Sequence, residues 1–248
     1  MAKEEATEPR KKGARAEATG KRGLTVDARL AELLIRDIIV RRYPPGTPLR
    51  EQEIADRYGV SRPSTREALR LMAYAGFVDI LPWRGARVID MSFDQFLDIL
   101  GLLEDIYARC AALAAQRMPD IVHPALDDAI RQLEQALDGE PDKALLYRLS
   151  FTFGGLIGDH SGSPIANRLL NQVGRLALWQ QRLRLPGTAE SEKQSLDAHR
   201  LLASAIKARQ PEVAAGAART IVLITRRALL GEDFSFPSNG DARRARIV

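Results

Sequence analysis

Residues 59–70 read Gly59-Val60-Ser61-Arg62-Pro63-Ser64-Thr65-Arg66-Glu67-Ala68-Leu69-Arg70, and this run decides the fold. Gly59-Val60 makes a tight turn, because glycine enters the left-handed backbone region at little cost. Ser61 is placed as a helix N-cap, and Pro63 is tolerated in the first turn, where its missing N–H leaves no bond unmade. The helix then runs to about Ala75 and stops before Gly76, with Thr65, Ala68, Leu69, Met72 and Ala75 as its buried stripe. Arg62 and Arg66 stand four apart and share one helical face, which Arg70 continues. Ser64 and Thr65 add two hydroxyls to the same N-terminal turns, and Glu67 reads as a partner in an internal ion pair.

Working outward, a short helix over Glu51–Tyr58 precedes the turn, with Ile54 and Ala55 facing inward. Before it, Leu30, Leu33, Leu34 and Ile38 recur at helical spacing from near Val26, and that helix must end ahead of Pro44-Pro45-Gly46. Beyond Gly76 come two β-like runs, Phe77–Leu81 and Ala86–Ile89, joined by Pro82-Trp83-Arg84-Gly85. Helix, helix, turn, helix and β-ribbon is the order of a winged helix-turn-helix. Such a fold presents the N-terminal turns of its last helix to the DNA major groove.

The charge agrees with that placement. The 248 residues carry a formal net charge of +5. Residues 1–23 hold 7 cations against 4 acids and residues 24–90 hold 11 against 9, while residues 91–248 balance at 19 of each. All cations between 24 and 90 are arginine, whose planar fork matches phosphate and guanine edges. An arginine-rich genome would produce the same bias, so charge alone suggests nucleic acid without establishing it. Residues 1–23 lack apolar periodicity and read as a disordered basic tail.

From Phe93 onward the pattern is helical, with segments expected near 93–117, 123–138, 141–159, 164–185, 189–208 and 211–230. Gly and Pro punctuate the breaks, as in Gly162-Ser163-Pro164 and Leu185-Pro186-Gly187. The expected fold is therefore mainly α: an N-terminal winged helix-turn-helix of three helices plus a β-ribbon (24–90), then an antiparallel all-α bundle of about six helices (91–232). A flexible tail is expected at 233–248. No 18-residue uncharged apolar stretch and no secretory signal is visible, and the single Cys110 suits a reducing cytoplasm.

Pro45-Gly46-Thr47-x-Leu49, Glu53-Ile54-Ala55, GVSRPSTREALRLMAYAGFV and Arg84-Gly85-x-x-Val88 together resemble the DNA-binding domain of the GntR family. The resemblance spans about residues 30–90 without a gap. One departure is Pro63-Ser64-Thr65 where the family often has Thr-Pro-Val. The resemblance implies that Arg62 and Arg66 read bases or clamp phosphates and that Ser61 and Ser64 add hydroxyl contacts. It places Gly85 at a wing tip entering the minor groove, with Arg50 and Arg84 as phosphate contacts.

The bundle resembles the FCD effector domain of the FadR-like branch through Phe153-x-x-Leu156-Ile157-x-x-x-Ser161-Gly162-Ser163-Pro164 and Ala198-His199-Arg200-x-Leu202-x-x-Ala205-Ile206. Many FCD domains hold a divalent metal on one Asp and three His. Those positions fall here at Ser150, Gly154, His199 and Ile221 (or Thr220), so one ligand of four survives. His123, read as a loop residue before Pro124, and His160 lie out of reach. A lone imidazole cannot hold such an ion, and the expectation is no metal cofactor.

The resemblance implies instead a small organic effector, uncharged and apolar or aromatic, in the space the metal left. Candidate contacts are Tyr107, Arg148, Ser150, Asn171, Arg175 and His199, with Trp179 and Arg182 on helices near that space. His199 reads equally well as a hydrogen-bonded core residue. Leu103 and Tyr107 replace the family's frequent Arg-x-x-x-Glu. One winged helix reads too few base pairs for genomic specificity, so a homodimer on a palindromic double-stranded operator is expected, most simply a repressor released by its ligand. An architectural DNA-binding protein without effector is the nearest rival. An enzyme built on Cys110 or a serine, with His160 or His199 as base and Asp159 or Asp197 as acid, has no supporting motif.

Overall fold

Capping and breaker residues set the boundaries of the elements. The computed structural model describes residues 24–82, 85–184 and 187–231. Both expected tails, the wing turn Trp83-Arg84 and the break Leu185-Pro186 lie outside the described residues. Helix α1 (Val26–Ile39) starts on Thr25, whose hydroxyl accepts from the Ala28 N–H. Helix α2 (Glu51–Tyr58) ends on Gly59, whose φ of 65° is left-handed. Helix α3 (Arg62–Tyr74) starts on Ser61, whose hydroxyl accepts from the Ser64 N–H at 3.2 Å.

Three antiparallel strands complete this unit: β1 (Pro48–Leu49), β2 (Val78–Leu81) and β3 (Gly85–Val88), in the order β1-β3-β2. Strand β3 alternates, with Ala86 and Val88 buried and Arg87 exposed. The sequence reading foresaw two strands. Strand β1 escaped it because two residues show no alternation; Leu49 is buried and pairs with Ala86. Beneath the sheet, Leu34, Ile38, Leu69, Met72 and Phe77 form a solid apolar core. Asp37 is buried on α1 and accepts from Arg42 at 3.0 and 3.1 Å and from the Tyr58 hydroxyl at 2.6 Å, which ties α1 to α2.

The second unit is the helical bundle. Helix α4 (Phe93–Arg117) opens with a reciprocal cap between Ser92 and Gln95. After a 3-10 turn at Asp120–Val122 come α5 (His123–Leu137), α6 (Lys143–Asp159), α7 (Pro164–Arg184), α8 (Ala189–Lys207) and α9 (Pro211–Leu230). The expected spans agree to within two residues at each end, the usual fraying of a boundary. His123 is a correction: it opens α5 rather than sitting in a loop, because the 3-10 turn leads directly into Pro124 at the helix start. Helices α4 and α9 carry buried alanine stripes, including Ala108, Ala111, Ala217 and Ala218, and small side chains let helix backbones approach closely.

Helix α7 joins the two units. Leu176 and Trp179 leave the bundle core and belong to the core of the winged helix. Trp179 is fully buried with its ring 5.6 Å from that of Phe77. Arg175 forms a forked pair with Glu32 of α1 at 2.9 and 2.6 Å, and the Gln172 amide donates to the Tyr74 carbonyl at 3.2 Å. An aromatic pair of this kind contributes about 0.5–1.5 kcal/mol beyond its buried area.

Candidate nucleic-acid interface and effector cavity

The N-terminal turns of α3 face a cleft of about 900 Å³ between that helix and the wing. Among the described residues five arginines line it, Arg50, Arg62, Arg66, Arg70 and Arg87, against the one acid Glu51. The side chains of Arg62, Arg66 and Arg70 are 61, 56 and 65 % exposed, so their guanidinium charges face solvent. Ser61 and Ser64 share a 2.8 Å hydrogen bond at the cap, leaving lone pairs and helix N–H groups at the end where the dipole favours phosphate.

Glu51 organises this face. Its carboxylate accepts two 2.8 Å bonds from Arg66 and lies 4.0 Å from Arg62. The Arg66 hydrogen bond, reinforced by the charges of Arg66, Arg62 and Arg70, holds the Glu51 carboxyl below its usual range against a smaller opposing effect of burial. The same pairing raises the Arg66 guanidinium. Arg66 is therefore held in one orientation, with its Nε edge engaged by Glu51 and its remaining N–H groups left to point outward. Arg50 pairs with Glu53 at 3.0 Å, and Arg70 with Glu67 at 3.3 Å.

Thr65 keeps its expected place in the buried stripe but not as a DNA-facing hydroxyl, Gly85 gains a second role, and two residues are new. Thr65 does not face the cleft: its side chain is fully buried and its hydroxyl donates to the Ser61 carbonyl at 3.1 Å. Adjacent helix positions differ by about 100°, so Ser64 outward puts Thr65 inward. Gly85 opens β3, opposite Leu81, with φ 82°. A Cβ there would stand 2.9 Å from the Leu49 carbonyl, so its smallness serves the close approach of β1 to β3. Arg84 lies outside the described residues. Arg87 and Glu51 were missed. The outward slot between buried Ala86 and Val88 was the available signal for Arg87, whereas nothing local pointed to Glu51, 15 residues from Arg66.

Helices α4, α5, α6, α7, α8 and α9 surround a second space, of about 110 Å³. The four positions aligned with the metal ligands, Ser150, Gly154, His199 and Ile221, all line it. They do not form a donor set. The Tyr107 ring lies over Gly154, 3.6 Å from where a Cβ would stand, and occupies the room a longer side chain there would need. Ile221 offers no lone pair. Among the described residues no group of three or more His, Cys, Asp or Glu is placed to hold a metal. The residues present do not fit a bound ion.

His199 is buried and both ring nitrogens are engaged. Nδ1 lies 2.6 Å from the Ser195 carbonyl, which can only accept, so Nδ1 carries the hydrogen. Nε2 then accepts, and the Ser150 hydroxyl at 2.9 Å donates to it. Burial pushes the imidazole down to about 4, partly opposed by the Ser195 bond, and keeps it neutral at physiological pH. The Ser150–His199 pair is thus no nucleophilic dyad: its base is too weak, and a carbonyl rather than a carboxylate stands behind it. Cys110 is buried, and that burial raises its thiol to about 11, away from the reactive thiolate.

Tyr107, Ser150, Asn171 and His199 thus meet at the cavity, while Arg148 and Arg175 are corrections. Arg148 is exposed and does not line it. Arg175 is turned to Glu32 on the opposite side of α7. Trp179 faces the winged helix, and Arg182 donates to the Ala144 carbonyl at 3.2 Å.

Comparison with known proteins agrees with this geometry. Residues 27–88 match the model for bacterial regulatory proteins of the gntR family, and residues 98–223 match the FCD domain. The chain is 28% identical over 226 residues to the HTH-type transcriptional regulator Mce2R of Mycobacterium tuberculosis, covering 83% of this chain and 92% of that one. It is 27% identical over 208 residues to a probable D-xylose utilization operon transcriptional repressor of Paenarthrobacter nicotinovorans, covering 80% and 87%. Among solved structures, E. coli McbR/YncC shares the fold with a TM-score of 0.72 at 18% identity, over 84% of this chain and 99% of that one. The two sequence relatives are named as transcriptional regulators. The chain belongs to the GntR family of DNA-binding transcriptional regulators and carries an FCD domain behind its winged helix.

Proposed function

We propose that this regulator is a cytoplasmic repressor that binds a palindromic operator as a homodimer and is released by a small organic effector held in the bundle. The observation that carries the reading is helix α7. One of its faces lines the cavity through Leu170, Asn171, Gly174, Ala177 and Leu178. Its other face holds the winged helix through Gln172, Arg175, Leu176 and Trp179. A molecule that prefers one placement of α7 alters the placement of the reading head. Operator affinity then changes by that difference in binding free energy.

A solid bundle would favour an architectural protein without effector; the cavity beside α7 favours the ligand-responsive reading. The dimer follows from the small footprint of one winged helix. Ile165 and Leu169 add an exposed apolar pair on α7, at the i, i+4 spacing that forms one surface. No helix among the described residues is long and apolar enough to cross a membrane.

The test is selection of bound duplexes from a random-sequence library, followed by native mass spectrometry of the complex. The expected result is an inverted repeat with two chains on each duplex. A selected site without two-fold symmetry, or one chain per duplex, overturns the dimeric-operator reading.

A further inference from the structure

The cavity in the bundle carries its own statement about what enters it. Its buried end is built from Tyr107, Ser150, Gly154 and His199. The Tyr107 hydroxyl, on a side chain about 95 % buried, has no hydrogen-bond partner. A buried O–H without a partner costs about 1–3 kcal/mol relative to a satisfied one, so the group calls for an acceptor. The Ser150 proton is committed to His199, which leaves the Ser150 oxygen able only to accept. Ser150 and Gly154 stand one turn apart on α6, and the Tyr107 oxygen lies 3.8 Å from the Cβ position of residue 154. A donor and an acceptor therefore stand close together at the end of an otherwise apolar space.

Charge narrows the class further. Among the described residues lining the cavity no lysine or arginine occurs, and Glu192 is the one formal charge. Arg148, Arg175 and Arg182 all lie elsewhere. A carboxylate or phosphate would enter with neither a metal nor a cation to meet it, and burying an unpaired charge is prohibitive. Glu192 lies beside Gly187 and Tyr147 with its Oε1 buried and without a hydrogen-bond partner; burial raises its carboxyl towards the neutral form, and the Lys143 charge partly opposes this. The volume, about 110 Å³, approaches the ~150 Å³ of an apolar cavity that admits benzene.

We infer that the cavity takes a small, uncharged, largely apolar molecule bearing one hydroxyl oxygen. That oxygen accepts from Tyr107 and donates to Ser150. This deepens the effector reading and rests on it for biological meaning, but binding itself is measured without DNA.

The experiment is isothermal titration of the full chain, stripped with a chelator, using phenol, toluene, benzoate and benzylammonium as probes. Phenol should bind, toluene roughly five- to tenfold more weakly for want of the hydrogen bonds, and the two ions not measurably. Tyr107→Phe and Ser150→Ala, each checked for an unchanged circular dichroism spectrum, should lower phenol affinity towards that of toluene. The inference is overturned if benzoate or benzylammonium binds better than phenol. It is overturned equally if added zinc is required, if phenol does not bind at millimolar concentration, or if Tyr107→Phe binds phenol as wild type does. Phenol binding that leaves operator affinity unchanged would contradict the effector reading and leave the ligand class standing.

Discussion

The winged helix and the bundle place their chemistry in opposite ways. In the winged helix the chemistry sits on the surface: arginine forks at the start of α3, a serine cap, and a cleft closed by β3. In the bundle the chemistry is interior, and four positions around one cavity read Ser150, Gly154, His199 and Ile221. Three of the four offer neither carboxylate nor imidazole, and among the described residues lining the cavity Glu192 is the one acidic side chain. A surface can present its charge to a polyanion, whereas an interior must pair its charges or neutralise them.

Breaking the joint between the regions should have the largest effect. Trp179→Ala removes a fully buried indole packed on Phe77 and should cost about 3–5 kcal/mol in chemical denaturation. A loss under about 1 kcal/mol would mean that α7 does not couple the two units.

The buried imidazole gives the next effect, and its sign is fixed. His199 titrates at about 4 when folded and near 6.5 when unfolded, so between these values the unfolded chain binds the extra proton. Its contribution is therefore fully present above about pH 6.5 and is lost as the pH falls through that window to about 4. The loss is on the order of 3 kcal/mol. His199→Gln should flatten the stability profile in that window relative to wild type; parallel profiles would place the imidazole in water.

On the reading head, Arg62→Ala and Arg66→Ala should each weaken operator binding roughly ten- to a hundredfold in fluorescence anisotropy. Arg87→Ala should instead reduce the salt dependence by about one counterion with little change in sequence preference. Unchanged affinity in both α3 variants would move recognition to the wing. The smallest effect is local: Gly85→Ala forces a methyl against the Leu49 carbonyl at positive φ, and should cost about 1–2 kcal/mol, read by thermal unfolding.

What was legible in the chain divides along the same line. The turn at Gly59, the Ser61 cap and the arginines four apart are local relations, settled within one or two helical turns. The six bundle helices were legible because glycine and proline mark their ends. Helix phase within the bundle was not, since it depends on partners far along the chain. Arg175 pairs with Glu32, 143 residues away, and Trp179 with Phe77. Only similarity to a known motif brought Ser150, Gly154, His199 and Ile221 to one place, because no spacing rule connects three separate helices. Glu51 was invisible for the same reason on a smaller scale, its partner being on the next helix.

The proposed effector site requires that Ser150, Gly154, His199 and Ile221 hold no metal ion. Native mass spectrometry of the full chain as purified, with metal content assayed on the same sample, tests this most directly. The account predicts a dimer with no stoichiometric divalent metal, and no gain of zinc on exposure to it. One zinc or nickel ion per chain, retained through dialysis, would contradict it and would require donors other than Ser150, Gly154 and Ile221 beside His199.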